Sequence, residues 1–177
     1  MQGFLNLADA IGNAITIILP ALCYIIGSSL FILGGYGLWQ SAKPGSYWAG
    51  HKYLPFFALG IGSCFLSFDR ILDKLEASFG GTVNFGIASQ ITSYTSSTAT
   101  GVLGATPEAT VLNMVQMFIG FFIPFGALMV FLAGNKVYAI GKGERRGGYS
   151  GPFIQTIFGL GLINIVTVTQ WLMSNFS

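Results

Sequence analysis

The chain has 177 residues, 53% of them hydrophobic and 8% charged, against about a quarter charged in an average soluble domain. With a mean hydropathy of +0.68, this composition excludes a water-soluble monomer. The net charge of +2 averages two unlike regions: six of the eight Lys and Arg residues lie in two short loops, while Asp69, Arg70, Asp73, Lys74, Glu76 and Glu108 of the central segment sum to −2.

Residues Met1 to Gly12 carry no Lys or Arg, so the positive n-region of a signal peptide is missing. In Leu19-Pro20-Ala21-Leu22-Cys23 a Leu stands where a lipoprotein cleavage site needs a small residue, and the first span is expected to be retained. A crossing takes roughly 20 apolar residues for about 30 Å of hydrocarbon. The first is expected at Ile15–Trp39, inside a stretch free of charge from Ala10 to Ala42. The first basic loop follows, with Lys43, His51 and Lys52, and the second span at Leu54–Phe68 is short.

Beyond it Phe68, Ile71, Leu72, Leu75 and Phe79 recur at helical spacing, while Asp69, Arg70, Asp73, Lys74 and Glu76 fill the other face. This predicts an amphipathic extension ending at Gly80-Gly81; an interfacial helix bent along the membrane surface is the competing reading. From Thr82 to Thr110 the chain turns to Ser, Thr, Ala and Gly, and Ser93 to Thr100 suits an exposed loop or short edge strands. Thr106-Pro107-Glu108 then reads as a helix start, with Thr106 as N-cap and Pro107 at the first helical position.

The third span is expected at Val111–Ala133 and the fourth at Phe153–Met173. Between them lies the second basic loop, with Lys136, Lys142, Arg145 and Arg146 and only Glu144 opposing them. Short loops rich in Lys and Arg stay cytoplasmic. Both loops therefore face the cytoplasm, and both termini and the central segment face the periplasm. The fold class is all-α: four transmembrane helices as two tandem antiparallel hairpins, residues 1–81 and 111–177, around a Ser/Thr-rich segment at 82–110.

The hairpins resemble each other. A shift of 99 residues superimposes Gly27 on Gly126, Leu33 on Leu132, Gly35 on Gly134, Lys43 on Lys142, Gly60 on Gly159 and Gly62 on Gly161, with Trp39 opposite Tyr138. Each unit holds two spans, so the repeat is parallel, unlike the inverted repeats of many transporters.

No catalytic constellation can be assembled. The one His, His51, lies beside Lys52 in a basic loop, and no carboxylate lies in a span, so neither an embedded acid–base pair nor a His-containing metal cluster is offered. The chain reads as non-enzymatic, without catalytic or metal residues. Ser28, Ser29, Ser63, Asn113, Gln116, Gln155, Asn164, Thr167, Thr169 and Gln170 within the spans read as interhelical packing contacts, each worth about 0.6 kcal/mol. Gly34, Gly35, Gly60, Gly62, Gly126, Gly159 and Gly161 sit inside helices at about 1 kcal/mol each relative to Ala. In a bilayer that cost is offset where another helix approaches through the notch, within the chain or between subunits. Phe118, Phe121, Phe122 and Phe125 read as lipid-facing bulk. Cys23 and Cys64 fall at similar depth in a hairpin turning near Gly45, and both a disulfide and two free buried thiols fit.

A hairpin of two Gly-containing apolar helices with a short basic cytoplasmic loop resembles the major pilin of type IV secretion and conjugation systems. Here it occurs twice. In length, four-span layout and Ser/Thr-rich centre the whole chain is similar to the TraQ/IcmC (DotE) family of inner-membrane proteins of I-type conjugation and Dot/Icm secretion systems. The resemblance implies a structural component of a conjugative machine, and more narrowly the subunit of its pilus. Lys43, Lys52, Lys136, Lys142, Arg145 and Arg146 would then meet lipid head groups or line a basic lumen. The only bound group implied is phospholipid; the implied partners are further copies of the chain, other secretion-system proteins and transported single-stranded DNA. The four spans, the missing leader and the central segment depart from the pilin pattern. A holin-like or channel-like oligomer of the inner membrane is the alternative.

Overall fold

The computed structural model describes residues 2–78, 106–144 and 147–176, and among these it contains eight α-helices and no strand. They are α1 (Gln2–Ser41), α2 (Tyr47–Gly50), α3 (Tyr53–Leu66), α4 (Phe68–Ser78), α5 (Pro107–Met117), α6 (Ile119–Gly141), α7 (Ser150–Ile163) and α8 (Ile165–Phe176). Two of them, α1 and α6, are long and apolar enough to cross a membrane. The pairs α3–α4 and α7–α8 pass the same test only jointly and are bent by 73° and 86°, so the crossings number up to four.

At about 1.5 Å per residue, the 40 residues of α1 make a rod about 60 Å long. One edge of it is buried at Ala8, Gly12, Thr16, Leu19, Cys23, Gly27, Leu30, Gly34 and Gly37, steps of three and four that keep one face of a 3.6-residue helix toward its neighbours. That edge packs against α3 and α6, and α7 packs on α6. The core joins Leu19, Cys23 and Leu30 of α1 to Phe65 of α3, Phe68 and Leu72 of α4, Ile123, Ala127 and Phe131 of α6, and Leu160 and Ile163 of α7. Phe65 and Phe131 lie 5.2 Å apart between ring centroids, and Phe68 meets Phe131 edge-on at 6.2 Å, both within the range where aromatic pairs attract beyond simple burial.

Three expectations for the helices are corrected. The third span is not one helix over Val111–Ala133: Phe118, at φ −102° and ψ 8°, separates α5 from α6. The fourth breaks at Asn164 (φ −99°, ψ 28°) instead of running from Phe153 to Met173. The second breaks at Ser67 (φ −109°, ψ 24°), so α4 bends away from α3 as in the competing reading and does not continue it. All three residues occupy the bridge region of backbone space, which ends a helix without Gly or Pro. Within α4, Phe68 and Leu72 are buried and Arg70 and Lys74 exposed, as the helical spacing predicts. Thr106 caps α5 as expected, its Oγ1 accepting from the Ala109 N–H at 3.2 Å, with Pro107 at the first position. The expected stop at Gly80-Gly81 and most of the Ser/Thr-rich segment lie outside the described residues.

The two helix pairs share one crossing. A methyl group built on Gly27 would meet the Leu66 N at 3.0 Å and the Gly62 carbonyl oxygen at 3.1 Å; one on Gly126 would meet the Ile163 N at 3.0 Å and the Gly159 carbonyl oxygen at 2.5 Å. Gly27 and Gly126 keep the offset of 99. In the return helices the offset is 97: Gly62 corresponds to Gly159, Pro55 to Pro152, and the breaks at Ser67 and Asn164 coincide. The expected pairing of Gly60 with Gly159 and of Gly62 with Gly161 is therefore out of register, because the second connection is two residues shorter. Each connection turns through one glycine with positive φ, Gly45 at 82° and Gly143 at 83°, a conformation that costs glycine nothing and other residues about 1 kcal/mol or more.

Candidate functional site

The basic loops meet at one end of the bundle. Phe57, just after the first loop, packs its ring on Gly141, just before the second, and stacks on Tyr138 with centroids 6.5 Å apart. Ser46 organises the first loop: its Oγ donates at 2.7 Å to the Gln40 carbonyl at the end of α1, which also accepts from the Lys43 N–H at 3.0 Å, and accepts from the Ala49 N–H at 3.2 Å as N-cap of α2. Lys43 lies over the Trp39 ring, 3.5 Å from its centroid, a contact worth about 0.5–1 kcal/mol at an exposed site. His51 stacks on Tyr47 at 4.8 Å, and Lys52 is exposed at the start of α3.

In the second loop Lys142 is exposed and paired with Glu144 at 2.5 Å. The hydrogen bond that Lys142 donates to the Glu144 carboxylate raises the Lys142 pKa above its ordinary value, and Tyr138 and the first-loop Tyr47 add to the effect. Arg145 and Arg146 lie outside the described residues. Lys136 differs from the loop placement expected for it: it lies within α6, half-buried, and donates to Gln155 Oε1 of α7. Gln155 in turn donates from Nε2 to the Met129 carbonyl at 3.1 Å. Lys136 is thus engaged between two helices. Of the basic residues proposed to line a lumen, the structure brings Lys43, Lys52 and Lys142 to the loop end.

Gln155 is the member of the expected polar set whose bonds cross between helices. Ser28 and Ser29 donate to the Ile25 carbonyl, Ser63 to Leu59, Asn164 to Leu160 and Thr169 to Ile165, all within their own helices. These five donate within their own helices, so these bonds do not tie one helix to another.

The glycines divide sharply. Gly34 abuts Leu59 and the Pro55 carbonyl, and Gly62, Gly126 and Gly159 form the two crossings; Gly35, Gly60 and Gly161 have nothing within 4 Å of where a Cβ would lie. Sequence inspection missed Gly12, whose Cα face lies against the Gly120 carbonyl. That carbonyl lacks its usual helical donor because Pro124 has no N–H. The phenylalanines expected to face lipid are half-buried: Phe118 packs on Phe122 and Phe121 on Phe125. Phe118, Phe121 and Phe122 line an apolar groove of about 390 Å³ with Leu7, Ala8 and Ile11. Cys23 is free and buried, Cys64 free and exposed on the outer side of α3. Among the described residues no three His, Cys, Asp or Glu side chains are grouped as metal ligands.

No protein-family model, curated protein or solved structure matches this chain.

Proposed function

We propose that the chain is a structural subunit of a conjugative type IV secretion machine, held in the bacterial inner membrane as two tandem antiparallel hairpins with both termini periplasmic. The narrower form of this reading is the pilus subunit. The observation that supports it most directly is the repeated unit itself: two helix pairs crossed through glycine, each closed by a short connection carrying basic residues, with both connections at the same end. A pilin-like hairpin needs those parts, because small residues let two apolar helices approach closely in a bilayer and the cations hold one end at the phosphates. In a filament Lys43, Lys52 and Lys142, with Arg145 and Arg146, would face the lumen and contact phospholipid or single-stranded DNA. The chain acts in this reading without catalysis.

The test is direct. Filaments sheared from cells carrying the apparatus should contain the chain, and its deletion should abolish DNA transfer. Transfer at the parental level without it would end the secretion reading; absence from sheared filaments would end the pilus form.

A membrane-resident, channel-like oligomer is favoured by a different observation. The helices α3 and α7 stop after 14 residues, about 21 Å, and turn by 73° and 86° into α4 and α8. Charged Asp69, Arg70 and Lys74 on one side of α4 and buried Phe68 and Leu72 on the other suit a helix lying in the interface plane. Recovery of the chain only in membrane oligomers would favour this second reading.

A further inference from the structure

Both halves of the chain contain the same glycine crossing, yet they are unequally buried. In α6, Ile123, Pro124, Ala127 and Phe131 are buried, with Phe131 only 3% exposed. The residues 99 positions earlier in α1 are Tyr24, Ile25, Ser28 and Ile32, and all are exposed, Ile25 at 62% and Ile32 at 70%. The difference comes from the first half. Phe65 of α3 fills the notch over Gly134, where a Cβ would lie 2.9 Å from its ring, and Phe57 stacks on Tyr138. The counterparts of Gly134 and Tyr138 are Gly35, with nothing within 4 Å, and Trp39, 59% exposed. So α1 carries a copy of the seat that α6 offers to α3 with no helix docked on it, Lys43 of the adjoining connection lying over the Trp39 ring.

The complementary surface is also present and also vacant. The α3 face that docks on α6 runs through Phe57, Ile61 and Phe65. At the return-helix offset of 97 its counterparts in α7 are Ile154, Phe158 and Leu162, of which Ile154 and Phe158 are 55% and 65% exposed. Within the chain the α3-on-α6 contact is not reciprocated, since α7 packs on α6, α4 and α8 and has no comparable contact with α1. The interface is therefore heterologous, with one half of it left over on each side of the molecule.

We infer that the α7 face Ile154–Phe158–Leu162 of one copy seats on the α1 face Ile32–Gly35–Trp39 of the next, repeating between chains the α3-on-α6 contact that, beside the packing of α1 on α6, joins the two halves within a chain. The occupant of the α1 face is thus a second copy of this protein. Lipid would cover apolar side chains without needing a notch, whereas Gly35 in an exposed helix interior costs about 1 kcal/mol that close approach by another helix offsets. Each chain supplies two quasi-equivalent units to a head-to-tail array, which closes as a ring or extends as a helical filament according to the rotation per unit. This inference rests on the chain being a membrane-embedded homo-oligomer and is indifferent to what the oligomer transports.

The experiment uses the full chain with Cys23 and Cys64 replaced by Ala, reconstituted in phospholipid vesicles at high lipid dilution and treated with a short bis-maleimide. Trp39→Cys and Ile154→Cys in one chain should give a ladder of dimers, trimers and higher species, and each single substitution none. A Phe57→Cys/Tyr138→Cys chain, cross-linked within itself, reports that the bundle is folded. Adding Gly35→Leu to Trp39→Cys/Ile154→Cys should abolish the ladder, while Gly35→Leu in the Phe57→Cys/Tyr138→Cys chain leaves the internal cross-link intact. No ladder in a folded chain, a ladder that survives Gly35→Leu, or efficient dimers from Ile32→Cys alone, which would place α1 against α1, would overturn the inference. The vesicles hold no secretion apparatus, so a ladder here with normal DNA transfer in cells lacking the chain would refute the proposed function and leave the interface standing.

Discussion

Gly126 and Gly159 approach backbone to backbone: a methyl group on Gly126 would lie 2.5 Å from the Gly159 carbonyl oxygen, and one on Gly159 would lie 2.8 Å from that of Gly126. Neither contact can relax by rotating a side chain, because both atoms struck belong to the main chain. Replacing Gly126, Gly159, Gly27 or Gly62 by Leu is expected to cost at least the 1–3 kcal/mol typical of overpacking. Gly60→Leu and Gly161→Leu, where a side chain meets nothing within 4 Å, should leave the single chain at least as stable, gaining up to about 1 kcal/mol from the lost helical glycine. Unfolding by SDS titration in mixed micelles separates the two groups, and equal losses in both would contradict the assigned crossing.

Gln155 links α6 and α7 through Met129 and Lys136. Gln155→Leu should destabilise the chain by roughly 0.6 kcal/mol and at most about 1.7 kcal/mol, the span measured for hydrogen bonds between helices in a bilayer. Ser29→Ala and Ser63→Ala remove bonds made within one helix and should fall near zero. A larger effect from either serine than from Gln155 would reverse this assignment.

Since Phe57 packs against both Tyr138 and Gly141, the two connections must reach the same side of a membrane. With Cys23 and Cys64 replaced, Ser41→Cys and Ser150→Cys should be protected together from an impermeant maleimide in intact cells and labelled together after lysis, with Ser97→Cys labelled from outside. Opposite behaviour of Ser41→Cys and Ser150→Cys is incompatible with the bundle.

The cysteines should behave unequally. Cys64 faces outward and Cys23 lies in the core among α1, α3 and α6. A membrane-permeant maleimide should modify Cys64 in the folded protein and reach Cys23 only on denaturation. Equal rates, or an internal disulfide on oxidation, would require a different facing of α1.

The helical character of the chain was readable in its residues because apolar runs between charged loops leave few alternatives, and Thr106-Pro107 marked the start of α5 by its own capping chemistry. The breaks were not readable. Phe118, Ser67 and Asn164 are neither Gly nor Pro, and what stops each helix there is a backbone conformation set by packing around it. The glycine register was misread for a related reason. Gly60-Ile61-Gly62 and Gly159-Leu160-Gly161 share the same Gly-aliphatic-Gly pattern, but only one glycine of each pair meets a neighbouring helix, and Pro55 with Pro152 gives the register the fold uses. Lys136 looked like a loop residue by its charge alone; Gln155, 19 positions away, supplies the partner that keeps it inside a helix.

The length of α1 has a consequence for the surrounding bilayer. The 37-residue span Leu5–Ser41, which includes Asn6 and Asp9 near its start, makes about 55 Å of helix, and fitting all of it into about 30 Å of hydrocarbon would take a tilt above about 50°, beyond the 0–40° that membrane helices adopt. On the α7 side the helix offers only about 21 Å before it bends. Lipids on the two flanks of one protein thus face mismatches of opposite sign, stretching the acyl chains along α1 and compressing them along α7. Side-by-side copies that set a long flank against a short one would shield both from lipid, so in the proposed array thickness strain would favour the same pairing of flanks.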